Sequence, residues 1–149
     1  RLWHPLGMEH KGLWTLDEQG YELAMGGLSA SARDYAKLGL LYLNEGMREE
    51  QRVLPEGWAE ASVTPDEPHL MPGENPASSN VSGYQYQWWT PRDWDGDFLA
   101  RGIWGQNVYV HPEHRVVIVK LAADQQNFDP QFKQAYIDYL QDIAQSLAD

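Results

Sequence analysis

The residues of this chain with the most chemical promise are Ala100-Arg101-Gly102-Ile103-Trp104-Gly105-Gln106. Two glycines stand three apart where a strand begins, and a glycine lets a ligand or another backbone approach because no Cβ intervenes. A bare backbone there can aim a free N–H at a developing negative charge, which is the chemistry of an oxyanion hole. The same pair could instead mark a β-bulge or a close helix–sheet contact. The nucleophile that such a hole would serve is missing. Of the serines at 29, 31, 62, 78, 79, 82 and 146, none has Lys three residues on, and none sits in a Gly-x-Ser-x-Gly elbow.

Other candidate constellations have simpler readings. Asp93, Asp95 and Asp97 suggest a calcium loop, but Phe98 and Trp104 stand where that loop needs Gly and Glu, so a hairpin turn is expected. His111 and His114 lie on a turn between strands, where their side chains should diverge, and no metal site is expected. Tyr42-Leu43-Asn44 fits a Tyr-x-Asn pattern of acyl-transfer enzymes, yet Tyr42 lies on an apolar helical stripe and reads as a core residue. The alternating aromatics of Tyr84-Gln85-Tyr86-Gln87-Trp88-Trp89 read as one strand covered on both faces, with Trp104 the better candidate for touching a ligand.

The elements that must position these residues follow from periodicity and turn chemistry. Residues 1–8 read as a helix end broken by Pro5 and Gly7, and Leu13 to Leu16 as a short strand. Ser31 and Asp34 form a capping-box-like start to a helix carrying Tyr35, Leu38, Leu41 and Tyr42, which Asn44-Glu45-Gly46 ends. Pro55 predicts the first turn of a short helix with Trp58, and residues 64–82 a long surface loop. A hairpin over 107–121 turns at Pro-Glu-His. A last helix from Pro130 to about Ala148 shows Phe132, Tyr136, Tyr139, Leu140, Ile143 and Leu147 on its apolar face. Helices, then an antiparallel meander, then a covering helix make an α+β layout in one domain, 1–149.

Composition narrows the partners. The 149 residues are 42% hydrophobic, with seven Trp and eight Tyr, enough to bury a core. Eleven Lys and Arg against 22 Asp and Glu give a net charge of -11, which repels nucleic acid and anionic lipid. The absence of cysteine removes thiolate chemistry and disulfides, and no apolar run approaches the roughly 18–20 residues of a membrane span. The chain opens on Arg1, so a processed or truncated chain is the expectation.

Four stretches together resemble the C-terminal half of the class C β-lactamase-like serine hydrolases, a group that includes penicillin-binding proteins, carboxylesterases and 6-aminohexanoate-oligomer hydrolases. They are Trp3-His4-Pro5-Leu6-Gly7-Met8, the run from Gly26-Gly27-Leu28-Ser29 to Tyr42-Leu43-Asn44, the aromatic stretch 84–89, and Gly102-Ile103-Trp104-Gly105-Gln106 with its hairpin. Their order spans nearly the whole chain, and the Gly-Ile-Trp-Gly-Gln form leans toward amidases and esterases. The resemblance implies a β-lactamase/transpeptidase-like fold, with the first strands and the Ser-x-x-Lys helix lying before Arg1. It implies no cofactor, and it leans toward a location outside the cytoplasm.

The family's Lys-Thr-Gly or His-Thr-Gly triplet falls on Ala100, Arg101 and Gly102, where only Gly102 keeps its identity. Ala100 argues against the usual recognition of a β-lactam carboxylate, a deficit Arg101 could offset. By the resemblance, Gly102 and the Ile103 N–H belong to the catalytic apparatus. Ala100, Arg101, Trp104, Gly105 and Gln106 line the substrate cleft, and the substrate is a small amide or ester. A sheet face should be left for the missing half or another chain to cover, and the chain alone should be inactive. The alternative is a non-catalytic binding or interaction module that keeps the fold without the chemistry.

Overall fold

The computed structural model describes residues 2–76 and 80–148, so Arg1, Ala77, Ser78, Ser79 and Asp149 lie outside the described residues. The N-terminal stretch is a series of turns in which Leu6 is buried. Strand β1 (Leu13–Trp14) pairs antiparallel with β2 (Leu28–Ser29) in a small arm whose Leu13, Tyr21 and Met25 stand in solvent.

Helix α1 (Ala32–Leu43) starts as its residues dictate. The Asp34 N–H donates to Ser31 Oγ, and the Ser31 hydroxyl donates back to Asp34 Oδ2 at 2.8 Å. It ends where Glu45 and Gly46 turn to positive φ and the Gly46 N–H reaches Leu41 O. A small hairpin of β3 (Met47–Arg48) and β4 (Gln51–Arg52) leads to α2 (Trp58–Val63). Pro55 does not open that helix: the Trp58 N–H caps back onto Pro55 O, and Gly57 stands in the left-handed region before the first helical residue.

Five strands then form one antiparallel sheet in chain order: β5 (Gly83–Gln85), β6 (Trp88–Thr90), β7 (Phe98–Arg101), β8 (Asn107–His111) and β9 (Val116–Lys120). The single strand expected over 84–89 is a correction. Tyr86 and Gln87 both take positive φ and make a two-residue hairpin turn between β5 and β6. The Tyr86 ring stacks on Trp58, 5.6 Å between centroids and 12° from parallel. That contact rewards a conformation which neither residue favours alone.

The pleat sorts two cores. Leu99 and Tyr109 face the last helix, α3 (Pro130–Ser146), and pack with Ile137, Leu140 and Ala144. Phe98, Trp88 and Val110 face α1 and pack with Leu43 and Tyr42. Tyr42 is a core residue, its ring 4.5 Å from that of Trp88. Gly39 lets α1 lie close to the sheet, since a Cβ there would come within 2.6 Å of Val117 Cγ1.

The apolar face of α3 is narrower than expected. Ile137, Leu140 and Ala144 are buried, while Tyr139 and Leu147 are exposed. Tyr139 lies about 100° around the helix from Leu140 and so off the stripe, while Leu147 is the C-cap residue beyond the last helical turn. α3 and α1 pack on opposite sides of the sheet. The sheet has two outer edges: β5, where the Tyr84 N–H donates to Leu70 O at 2.9 Å, and β9, which pairs with β8 alone among the described strands.

Candidate active site

Ala100 and Arg101 end β7, opposite Val108 and Asn107 of β8. Adjacent strand residues point to opposite faces. Ala100 accordingly packs with the α1-side core, whereas the Arg101 guanidinium lies 4.7 Å over the Trp89 ring on the α3 side. The Arg101 Nη1 donates to Ser82 Oγ at 3.4 Å, and burial pulls its pKa below the ordinary guanidinium value. The two positions do not line one cleft together.

Gly102 is extended (φ -110°, ψ 168°), and its N–H donates to Gln106 O at 2.9 Å, closing the β7–β8 connection. Between them Ile103–Gly105 forms a 3-10 turn. The two glycines therefore bracket a turn and not the start of a strand. β7 is interior to the sheet, Ile103 is 64% exposed, and Trp104 is 43% exposed. The Ile103 N–H opens the turn, a position at which helical geometry offers no partner.

Trp104 takes φ 62°, ψ 20°, a left-handed conformation that costs a bulky residue about 1–3 kcal/mol. Three contacts over-determine it. The Trp104 carbonyl accepts from the Asp124 N–H at 3.0 Å, and its ring meets Phe128 edge-on at 5.8 Å. The third is the Gln106 amide: Gln106 Nε2 donates to Ala122 O, and the Ala122 N–H returns the bond to Gln106 Oε1 at 3.1 Å. Gln106 was expected to face substrate; its polar atoms are instead committed to this clamp. Gly105 is buried at φ 81° against Lys120. The result is a turn held rigidly to residues 122–128, with Ile103, Trp104 and Phe128 as an apolar rim.

Asp124, Ala122 and Phe128 were missed by sequence reasoning. A clamp from a side chain to a distant backbone leaves no periodic signal. The Asp-rich turn behaves as expected in part. Gly96 turns at φ 106°, while Asp97 is fully buried and accepts from Tyr109 Oη at 2.7 Å and Gln141 Nε2 at 3.0 Å. Burial is the main cause that raises the Asp97 pKa. His111 and His114 do not diverge; their rings stack with centroids 3.9 Å apart, and His111 Nε2 lies 3.4 Å from Asp95 Oδ2. Among the described residues no group of three or more His, Cys, Asp or Glu could hold a metal ion, and no helix is long and apolar enough to cross a membrane.

A 6-aminohexanoate-dimer hydrolase of Paenarthrobacter ureafaciens is 34% identical over 123 residues, covering 82% of this chain and 31% of that protein. A solved structure assigned as a 6-aminohexanoate-dimer hydrolase from Bacillus anthracis superposes with a TM-score of 0.80 at 32% identity, over 98% of this chain and 36% of the other. The chain thus spans about a third of the length of these relatives. The family profile described as Beta-lactamase matches residues 1–142, nearly the whole chain: the chain belongs to the beta-lactamase family.

Proposed function

We propose that this chain is the C-terminal portion of a serine hydrolase that cleaves amide or ester bonds through an acyl-enzyme. Its contribution is the Ile103 N–H, as one donor of the oxyanion hole, and the Gly102–Gly105 turn as one wall of the cleft. The observation that carries the reading is the rigid turn in which Gly102 and Gly105 bracket an exposed Ile103. Donors preorganised before the reaction stabilise a tetrahedral oxyanion without reorganising during it. The Gln106–Ala122 clamp and the Trp104–Asp124 hydrogen bond supply that rigidity.

The nucleophile and base come from outside these 149 residues. Ser31 is committed to Asp34, Ser62 donates to Trp58 O, and Ser146 donates to Ile143 O. The unpaired edge of β9 and the exposed β1–β2 arm are the surfaces that a remaining part of the protein or another chain would cover. The relatives are named for cleaving a dimer of an amino acid, which favours an amide with an aliphatic chain as substrate. The apolar rim of Ile103, Trp104 and Phe128 suits such a chain.

Two experiments test this reading. The 149-residue chain should release no p-nitrophenol from an ester above buffer, and stoichiometric labelling of one serine by a fluorophosphonate would overturn its inactivity. In a protein that joins this chain to the nucleophile, Ile103→Pro deletes the proposed donor. Pro suits the first position of a turn, and the extended Gly102 suits the residue before Pro. The variant should fold and lose about 10²–10³ in turnover; unchanged turnover would remove Ile103 from the mechanism.

A further inference from the structure

Under α3, beside the turn, a cavity of about 20 Å³ is lined by Arg101, Gly105, Asn107, Lys120, Lys133 and Tyr136 among others. Three cationic residues, Arg101, Lys120 and Lys133, are in the lining and no acidic one is, in a chain that carries 22 acidic residues. Among the described residues, the ion pairs within 4.0 Å are made by His10, Lys37 and His111, so none of the three cations has a carboxylate partner at that distance. Aromatic faces hold them in place: Arg101 over Trp89 at 4.7 Å, Lys120 over Tyr136 at 4.0 Å and Lys133 over Phe128 at 6.0 Å. These rings attract cations but carry no net charge to offset three of them.

The walls are fixed. Lys120 Nζ lies 3.1 Å from where a Cβ on Gly105 would stand, so the ammonium packs onto bare backbone. Asn107 Nδ2 donates to Gly105 O at 3.1 Å. Asp124, whose Cβ lies near the same point, uses Oδ1 to accept from the Gln126 N–H. A cavity of this size takes a single water-sized particle. Like charges gathered around such a space, with low-dielectric walls, favour an anion over a water.

We propose that this cavity is a halide site that takes one chloride ion, neutralising Arg101, Lys120 and Lys133 and fastening α3 to the end of the sheet. The proposal is independent of the hydrolase reading. The test is thermal unfolding of the 149-residue chain at constant ionic strength, with sodium gluconate replaced stepwise by sodium chloride. Gluconate is too large for the cavity. The expected result is a saturable rise in Tm of about 2–4 °C with chloride. That rise should be lost in Lys120→Met and Lys133→Met and kept in Lys11→Met, which alters an exposed lysine outside the cavity. No difference between chloride and gluconate, a rise that persists in both cavity variants, or a larger rise with sulfate would each overturn the proposal. Should the cavity variants not fold, 35Cl line broadening by the native chain decides: broadening reversed by bromide supports the site, and its absence refutes it.

Discussion

Gln106 and Ala122 pair as two strands pair, although only Ala122 contributes its main chain. The Gln106 amide gives and takes one hydrogen bond, which continues the β8–β9 ladder past Lys120 and holds the turn between β7 and β8 in place. The candidate oxyanion donor therefore owes its position to a side chain that itself has nothing to offer a substrate.

Gln106→Ala should cost about 1–3 kcal/mol of stability, since it leaves a half-buried N–H and carbonyl of Ala122 without their partner. Urea unfolding measures the loss. Hydrogen exchange at the Ala122 amide gives the specific signature: exchange there should accelerate more than at Val108 in β8. Equal effects at both amides would contradict the clamp.

Asp34 joins the start of α1 to the chain before β1. It accepts from the Glu9 N–H at 2.7 Å, the His10 N–H at 3.2 Å and the Ser31 hydroxyl, with Lys37 at 3.6 Å. Burial opposes its charge, but these bonds outweigh that and hold its pKa at about 2. A depressed carboxyl contributes its stability above the ordinary value of 3.8 and loses it as pH falls toward about 2. Asp34→Asn should lower Tm by several degrees at pH 7, with the gap to the native chain closing through that acid window. A gap independent of pH would show that charge is not what Asp34 supplies.

Asp97 titrates in the opposite sense. Burial, with the neighbouring Asp95 charge adding to it, raises its pKa above the ordinary 3.8 despite the bonds from Tyr109 and Gln141. Its ionisation therefore costs stability as pH climbs through the raised value. In Asp97→Asn, the difference in Tm from the native chain, variant minus native, should grow as pH rises from about 4 to 8. A flat or falling difference, followed by calorimetry, would contradict the sign.

The sequence made several of these features legible and hid others for physical reasons. The α1 cap, the 107–121 hairpin and the two glycines beside Ile103 are local signals, and the structure keeps them. The Tyr86-Gln87 turn carries no Asn-Gly mark, and depends on Trp58 from another element. The same holds at Trp104, whose left-handed backbone is set by Asp124, Ala122 and Phe128, about twenty residues away in the chain. The strand start expected at the two glycines is a turn, set by contacts which no local periodicity encodes.

The central claim is that the Ile103 N–H serves a transition-state oxygen. It is tested most directly by the crystal structure of a protein that joins this chain to the nucleophile, inhibited with an alkyl phosphonate whose phosphonyl oxygen stands in for the oxyanion. The account predicts that oxygen at about 2.7–3.1 Å from Ile103 N, between Gly102 and Trp104. A phosphonyl oxygen bound to other donors, with the Ile103 N–H turned to solvent, would contradict it.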